Sequence, residues 1–285
     1  MRLAAFGALF VGLALPASAQ TGLLVVAHGA GPAWNDGVRA VVAQVQWTAG
    51  PVATAFLMGP EASTSGWDSA IAKLTRESAR RIVVVPLLVS SHGGHYRDIL
   101  RAAGALIDTS GEAQHDEHDA HRPPVPTTVT GALDDAPELG QALAARWREL
   151  SAADRRRPLF LVAHGPTSDE EAALWLRNLD PAAAAIRAEG EIPVAVGLLR
   201  DDAPPSVRAA AVEEIRRTIN RLATASGDSV TVLPVLISTG QIDQVTIPTD
   251  LSGLPIRYAP VSLAPLAVLA RWIERVARAK ASTIP

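Results

Sequence analysis

The chain has 285 residues, 48% of them apolar and 19% charged, with a formal net charge of −3 and no cysteine. This is the composition of a globular protein with ample core, and it offers no concentrated basic face for nucleic acid. Without thiols, disulfides, thiolate zinc sites and Cys-attached haem are excluded, so any metal must be held by His, Asp, Glu or water.

Met1-Arg2, an apolar stretch from Leu3 to Leu15 and the exit Pro16-Ala17-Ser18-Ala19-Gln20 have the anatomy of a secretory signal peptide, with cleavage expected after Ala19. The apolar stretch is shorter than the roughly 20 residues that span a bilayer, and no later segment combines the length and the lack of charge. The expectation is a periplasmic or secreted protein with no membrane span after cleavage. Residues 20–285 suffice for two ordinary domains.

β-rich runs then alternate with helical patterns, which predicts βαβ units and a parallel sheet. In the first half, strands are expected at Leu23–Ala27, Val52–Leu57, Ile82–Val89 and Thr127–Thr130. Helices are expected at Ala33–Trp47, Ser65–Ala79, Tyr96–Ala105 and Ala136–Leu150, with Asp134 and Asp135 placed where an N-cap and the helix dipole favour acids. After the charged link Ser151–Pro158 the order repeats, with strands at Leu159–Ala163, Pro193–Leu198, Val230–Ile237 and Ile256–Tyr258. Its helices are expected at Glu170–Leu179 (with room to continue past Pro181), Ser206–Ala223 and Ala264–Ala279. The triplet Ala27-His28-Gly29 recurs as Ala163-His164-Gly165, and Pro86 recurs as Pro234. Similarity at so long a period marks a duplicated domain, 20–150 and 151–285, and not a solenoid of short repeats.

Each motif puts a polar tip just past a buried apolar run, where open α/β sheets bind ligands. The first half carries histidine at both tips: His28 after Leu23–Ala27, and His92 and His95 around Gly93-Gly94. If the two strands are neighbours, their tips lie about 5 Å apart plus side-chain reach. Two imidazoles that close can share a divalent metal and leave positions open for substrate; they can also accept protons near neutral pH. His95 is the stronger partner for His28, with His92 a further candidate ligand.

An insertion at residues 108–126 contains His115-Asp116-Glu117-His118-Asp119-Ala120-His121. Its three histidines, interleaved with acids, read either as a divalent-ion loop or as a solvated loop without ligand. Rival motifs fail on their spacing. Trp34 occupies the third glycine's place in Gly29-Ala30-Gly31-Pro32-Ala33-Trp34, there is no P-loop, and no Gly-x-Ser-x-Gly elbow accompanies the His-Gly tip. Trp34 is placed near His28, where an indole can stack on a flat ligand.

These residues resemble the class II tetrapyrrole chelatases, the sirohydrochlorin cobaltochelatase and ferrochelatase group, in their long duplicated form. The likeness rests on Val25-Val26-Ala27-His28-Gly29, on Val85-Pro86-Leu87-Leu88-Val89 leading into Gly93-Gly94-His95-Tyr96-Arg97-Asp98-Ile99, and on Gly131-Ala132-Leu133. It implies a chelatase-like α/β fold in which two similar domains, each a mostly parallel sheet flanked by helices, face across a cleft. It also implies that His28 and His95 handle the metal, and that the reaction inserts Co²⁺ (Ni²⁺, Fe²⁺ and Zn²⁺ being alternatives) into a sirohydrochlorin-like tetrapyrrole.

The chain departs from the family pattern at Met58, where a glutamate commonly follows the strand, with Glu61 the nearest acid. In the second half Gln241 and Asp243 stand where Gly-Gly-His would be, so that half is expected to form the opposing wall. Duplication makes a monomer sufficient. The competing reading is a non-catalytic periplasmic metal-binding protein or metallochaperone; an exported hydrolase comes last, for want of a nucleophile.

Overall fold

The computed structural model describes residues 20–106 and 123–283; the expected signal peptide and His115, His118 and His121 lie outside the described residues. The first half runs β1 (Gln20–Ala27), α1 (Pro32–Val42), β2 (Val52–Phe56), α2 (Ala62–Ser65), α3 (Trp67–Arg76), β3 (Ala79–Pro86), α4 (Gly94–Ala102), β4 (Thr127–Val129) and α5 (Pro137–Arg148). The second runs β5 (Leu159–Ala163), α6 (Asp169–Gly190), β6 (Val194–Leu198), α7 (Pro205–Ser226), β7 (Val230–Val235), α8 (Ile247–Asp250), β8 (Ile256–Tyr258) and α9 (Ala267–Ala281). Among the described residues every strand pair is parallel, in the orders β2-β1-β3-β4 and β6-β5-β7-β8. The shared order is the structural mark of the duplication. It also puts a topological switch point between β1 and β3, and between β5 and β7, with a crevice past their carboxyl ends.

Leu23, Leu24, Val25, Val26 and Ala27 are all inaccessible to solvent, as a central parallel strand covered on both faces requires. Alternation divides them: Leu23, Val25 and Ala27 enter a central cluster, Leu24 and Val26 an outer one that includes Ile71 and Leu74 of α3. The central cluster also takes Leu159, Leu161 and Ala163 of β5 together with the inner faces of α5, α6 and α9. One core therefore serves both sheets. Its helices cross over: α9, from the second half, packs against β1 and β3 of the first sheet, while α5 lies along α6. Arg275 of α9 donates to both Glu138 carboxylate oxygens at 2.7 Å, and Arg146 of α5 donates to the Ser262 and Ala264 carbonyls at 2.6 and 3.0 Å.

Several boundaries differ from the sequence expectation. β3 starts at Ala79 and leaves the sheet after Pro86, because the Leu88 and Val89 carbonyls accept from the N–H groups of Leu133 and Asp134 instead of a neighbouring strand. The helix expected at Ser65–Ala79 runs only over Trp67–Arg76: Gly66, with an extended backbone (φ −84°, ψ −172°), separates it from the short α2, and Ala79 belongs to β3. α1 stops at Val42 and Trp47 turns back so that its indole N–H donates to the Thr21 carbonyl at 2.8 Å. Asp134 does not cap α5, whose N-cap is Ala136 without a side-chain bond. Its carboxylate instead accepts from the Ser91 N–H at 2.7 Å and from the Ser91 hydroxyl at 2.6 Å, tying the loop after β3 to the start of α5. α6 begins with Ser168 as its N-cap, the side chain accepting from the Glu171 N–H at 3.2 Å. It continues through Pro181 to Gly190, held by the buried Leu179, Ala182, Ala183 and Ile186, which compensate the hydrogen bond lost at the proline. Among the described residues no helix is long and apolar enough to cross a membrane.

A candidate metal-handling site at the strand tips

β1 ends at Ala27, and His28 is the first residue beyond the sheet. The turn that follows demands glycine. Gly29 has φ +85°, and a Cβ there would lie 2.3 Å from the Met58 carbonyl oxygen. The His28 carbonyl accepts from the Met58 N–H at 2.8 Å, so the β1 and β2 tips are stitched together beneath the imidazole. His28 Nδ1 lies 2.6 Å from the Gly29 carbonyl. A carbonyl only accepts, so Nδ1 carries the hydrogen and Nε2 keeps its lone pair, the arrangement typical of a metal-binding imidazole oriented by backbone.

His95 is the second residue of α4 and reaches the same tip: the His28 and His95 rings are 4.6 Å apart between centroids and inclined at 80°, edge to face. Burial, then the His95 charge, holds the His28 imidazole below its ordinary pKa of 6.5; burial does the same for His95, opposed mainly by Asp202 and Asp98. Both rings are therefore neutral near pH 7, as a ligand or a proton acceptor must be. At this separation both lie within reach of one divalent ion, whose bonds to imidazole are about 2.0–2.1 Å.

The second half approaches from the other side. His164, at the tip of β5, repeats the His28 geometry: its Nδ1 lies 2.9 Å from the Gly165 carbonyl, Gly165 has φ +79°, and the His164 carbonyl accepts from the Arg200 N–H. Arg200 thus occupies the place of Met58. Its guanidinium is turned onto the Pro166 and Thr167 carbonyls and Asp169, while Met58 is 47% exposed. Two residues on, Asp202 Oδ2 lies 3.6 Å from His164 Nε2. The charges of His164 and Asp202 act on both His28 and His95, which puts all four groups in one electrostatic neighbourhood. Sequence reasoning missed Asp202; its only signal was an Arg-Asp-Asp string one residue past β6, in the repeat position of Met58-Gly59-Pro60.

Other expected participants have different surroundings. The ring of His92 makes no contact among the described residues with His28 or His95; its backbone carbonyl accepts from the Trp175 indole N–H, which latches the loop onto α6 beside the Arg97–Glu171 ion pair. Glu61 is taken up by Asn35 and Arg39 and clamps the turn after β2 to α1. Asn35 in turn bonds both the N–H and the carbonyl of Ala30. Trp34 stands 6.1 Å from His28 between ring centroids, and its carbonyl accepts from Ser238 of the second half at 2.9 Å, so it joins the two walls. Asp243, in the repeat position of His95, is buried and caps Gly240. Among the described residues no three or more His, Asp or Glu side chains are gathered closely enough to enclose an ion by themselves. The strand tips thus present two pairs, His28 with His95 and His164 with Asp202.

Comparison with known proteins bears on this arrangement. Residues 22–150 match the CbiX family model. No curated protein matches the chain. Among solved structures, the sirohydrochlorin chelatase SirB from Bacillus subtilis subspecies spizizenii, in complex with cobalt, superposes with a TM-score of 0.63 at 15% identity, covering 92% of this chain and 96% of that one. SirB from Bacillus subtilis with Fe³⁺ gives 0.64 at 16% identity, with the same coverage. CbiX, described as the terminal enzyme for biosynthesis of siroheme in denitrifying bacteria, gives 0.53 at 16% identity over 93% of this chain and all of that one. At such identities the likeness establishes the fold.

Proposed function

We propose that the chain, whose residues 22–150 match the CbiX family model, is an exported chelatase of the class II tetrapyrrole group that inserts a divalent metal, Co²⁺ first among the candidates, into a sirohydrochlorin-like macrocycle. The observation that carries this reading is the edge-to-face pair of neutral imidazoles, His28 and His95, at the switch point of the first sheet. Insertion requires a group that holds the incoming ion and a group that takes up two pyrrole protons. Imidazoles below their ordinary pKa keep a free lone pair for either task near neutral pH. The stitched β1–β2 tip and the Asp134–Ser91 tie hold the loops that carry the pair, so the ion can be presented in a defined place. Export to the periplasm or beyond is part of the proposal and rests on residues 1–19.

The test is to mix purified protein lacking residues 1–19 with Co²⁺ and sirohydrochlorin and to follow the macrocycle's absorption against a protein-free control. Acceleration that disappears in His28→Ala and in His95→Ala supports the reading. Acceleration that survives both substitutions, or none with any divalent ion, rejects it.

One observation favours a second reading, a periplasmic divalent-metal-binding protein or metallochaperone: the place after β2 is filled by the exposed, apolar Met58, and Glu61 is committed to Asn35 and Arg39. Stoichiometric metal binding without turnover on any tetrapyrrole would select it.

A further inference from the structure

We propose that His164 and Asp202 form a second divalent-cation station, on the wall of the cleft opposite His28 and His95. His164 Nδ1 faces the Gly165 carbonyl at 2.9 Å, so that nitrogen donates, and in the neutral ring Nε2 is the nitrogen free to bind a metal. The group it faces, Asp202 Oδ2, is also an acceptor. A neutral imidazole nitrogen and a carboxylate oxygen facing one another are two ligand atoms for a cation.

The separation suits a metal ion better than a hydrogen bond. At 3.6 Å the two atoms are beyond hydrogen-bond length, and within ion-pair range only when His164 is protonated. An ion with bonds of about 2.1 Å to each atom would subtend an angle of about 118° there, close to the tetrahedral and trigonal values that His and carboxylate ligands adopt. Asp202 is 61% exposed and His164 28% exposed, so water has access to complete the coordination.

The placement gives the station a partner. The loop bearing His95 is latched to the beginning of α6 by Trp175 and Glu171, and Trp34 beside His28 is bonded to Ser238, so the two tips are held face to face from both ends. The influence of Asp202 on both imidazoles of the first pair agrees with that proximity. On the chelatase reading, which this role alone rests on, the station would supply the anionic donor that the His28–His95 pair lacks, holding a dication on its way to two neutral rings. The binding itself depends on no macrocycle.

The experiment uses Co²⁺ as the only ligand, in protein whose His115, His118 and His121 are replaced by alanine so that the loop adds no ions. In a further His28→Ala/His95→Ala variant, calorimetry is expected to find one bound Co²⁺ per chain. Adding Asp202→Asn or His164→Ala should weaken that ion by at least about tenfold, with loss of its d–d absorption. Asp202→Asn is nearly isosteric at an exposed position, and an unchanged far-UV spectrum shows that the fold is retained. Absence of Co²⁺ in the His28→Ala/His95→Ala variant, or binding indifferent to both Asp202→Asn and His164→Ala, would overturn the proposal. Sirohydrochlorin is absent throughout, so failure of the insertion assay and failure of this one are separate results.

Discussion

Gly29 is the position at which a single methyl group should do most damage to both fold and site. A Cβ there would stand 2.3 Å from the Met58 carbonyl oxygen and 2.8 Å from Phe56 Cβ, against the 3.0 Å that real Cβ contacts respect. The first neighbour is backbone of β2's continuation, so relief requires the strand tips to separate. Alanine at φ +85° also carries a left-handed penalty of about 1 kcal/mol. Overpacking against backbone adds about 2 kcal/mol. Gly29→Ala should therefore lose about 3 kcal/mol, lowering Tm by about 6–12 °C for a chain of this size.

Two internal controls sharpen the expectation. A Cβ at Gly165, φ +79°, meets Leu198 Cβ at 2.8 Å and no backbone atom closer than 3.5 Å, so Gly165→Ala should cost less than Gly29→Ala. A Cβ at Gly31 meets nothing within 4 Å, so Gly31→Ala should stay within about 1 kcal/mol of wild type. Urea unfolding followed by tryptophan fluorescence measures all three. Because Met58 N–H holds the His28 carbonyl, Gly29→Ala should also weaken Co²⁺ binding at the first pair. Equal stability of the Gly29→Ala and Gly31→Ala proteins would refute the steric reasoning.

Further expectations concern titration and buried polar groups. Folded His28 and His95 bind protons less readily than the unfolded chain, so they contribute stability that is present above pH 6.5 and lost as pH falls through their lowered folded pKa values. Unfolding at pH 7.5 and 5 should show this loss, and the His28→Ala/His95→Ala protein should show less of it. Buried Asp243 has its pKa raised, chiefly by burial. Its contribution runs the other way, present below the unfolded value near 3.8 and lost as pH rises, so Asp243→Asn should flatten that fall while keeping the acceptor for the Gly240 N–H. Stability titrations of the two proteins that run parallel from pH 4 to 8 would contradict this. Asn35 is fully buried and bonds Ala30 twice and Glu61 once. Asn35→Ala should cost about 3 kcal/mol by leaving the Ala30 N–H and carbonyl unpaired, Glu61 keeping Arg39, as read from urea midpoints at constant m.

Much of this protein was determined by its sequence alone. Buried apolar runs ending in His-Gly specify central parallel strands and aim an imidazole past their ends, because strand periodicity, burial on both faces and glycine's backbone freedom are properties of neighbouring residues. The repeat of that pattern specified two sheets of one topology, while His28 and His95, at the tips of separate strands, were expected to meet only if those strands are neighbours, which the sheet order supplies. Only the tertiary structure decided how the halves join. Arg275 meets Glu138, 137 positions earlier, and Ser238 meets Trp34, 204 positions earlier. Such contacts carry no local periodicity, since α9 covers β1 and β3 through the core that both sheets share. The same holds for individual carboxylates. Asp134 stood next to a helix start and Glu61 next to the strand tip, yet each has its own buried or half-buried partner, Ser91 for one and Asn35 for the other. Asp202, unremarkable in sequence, reaches the site because the second half repeats the turn at His164 and the shared core sets that turn against the first. An acid's neighbours in space, not its place in the chain, determine whether its charge is neutralised locally or left to act on the imidazoles of the other half.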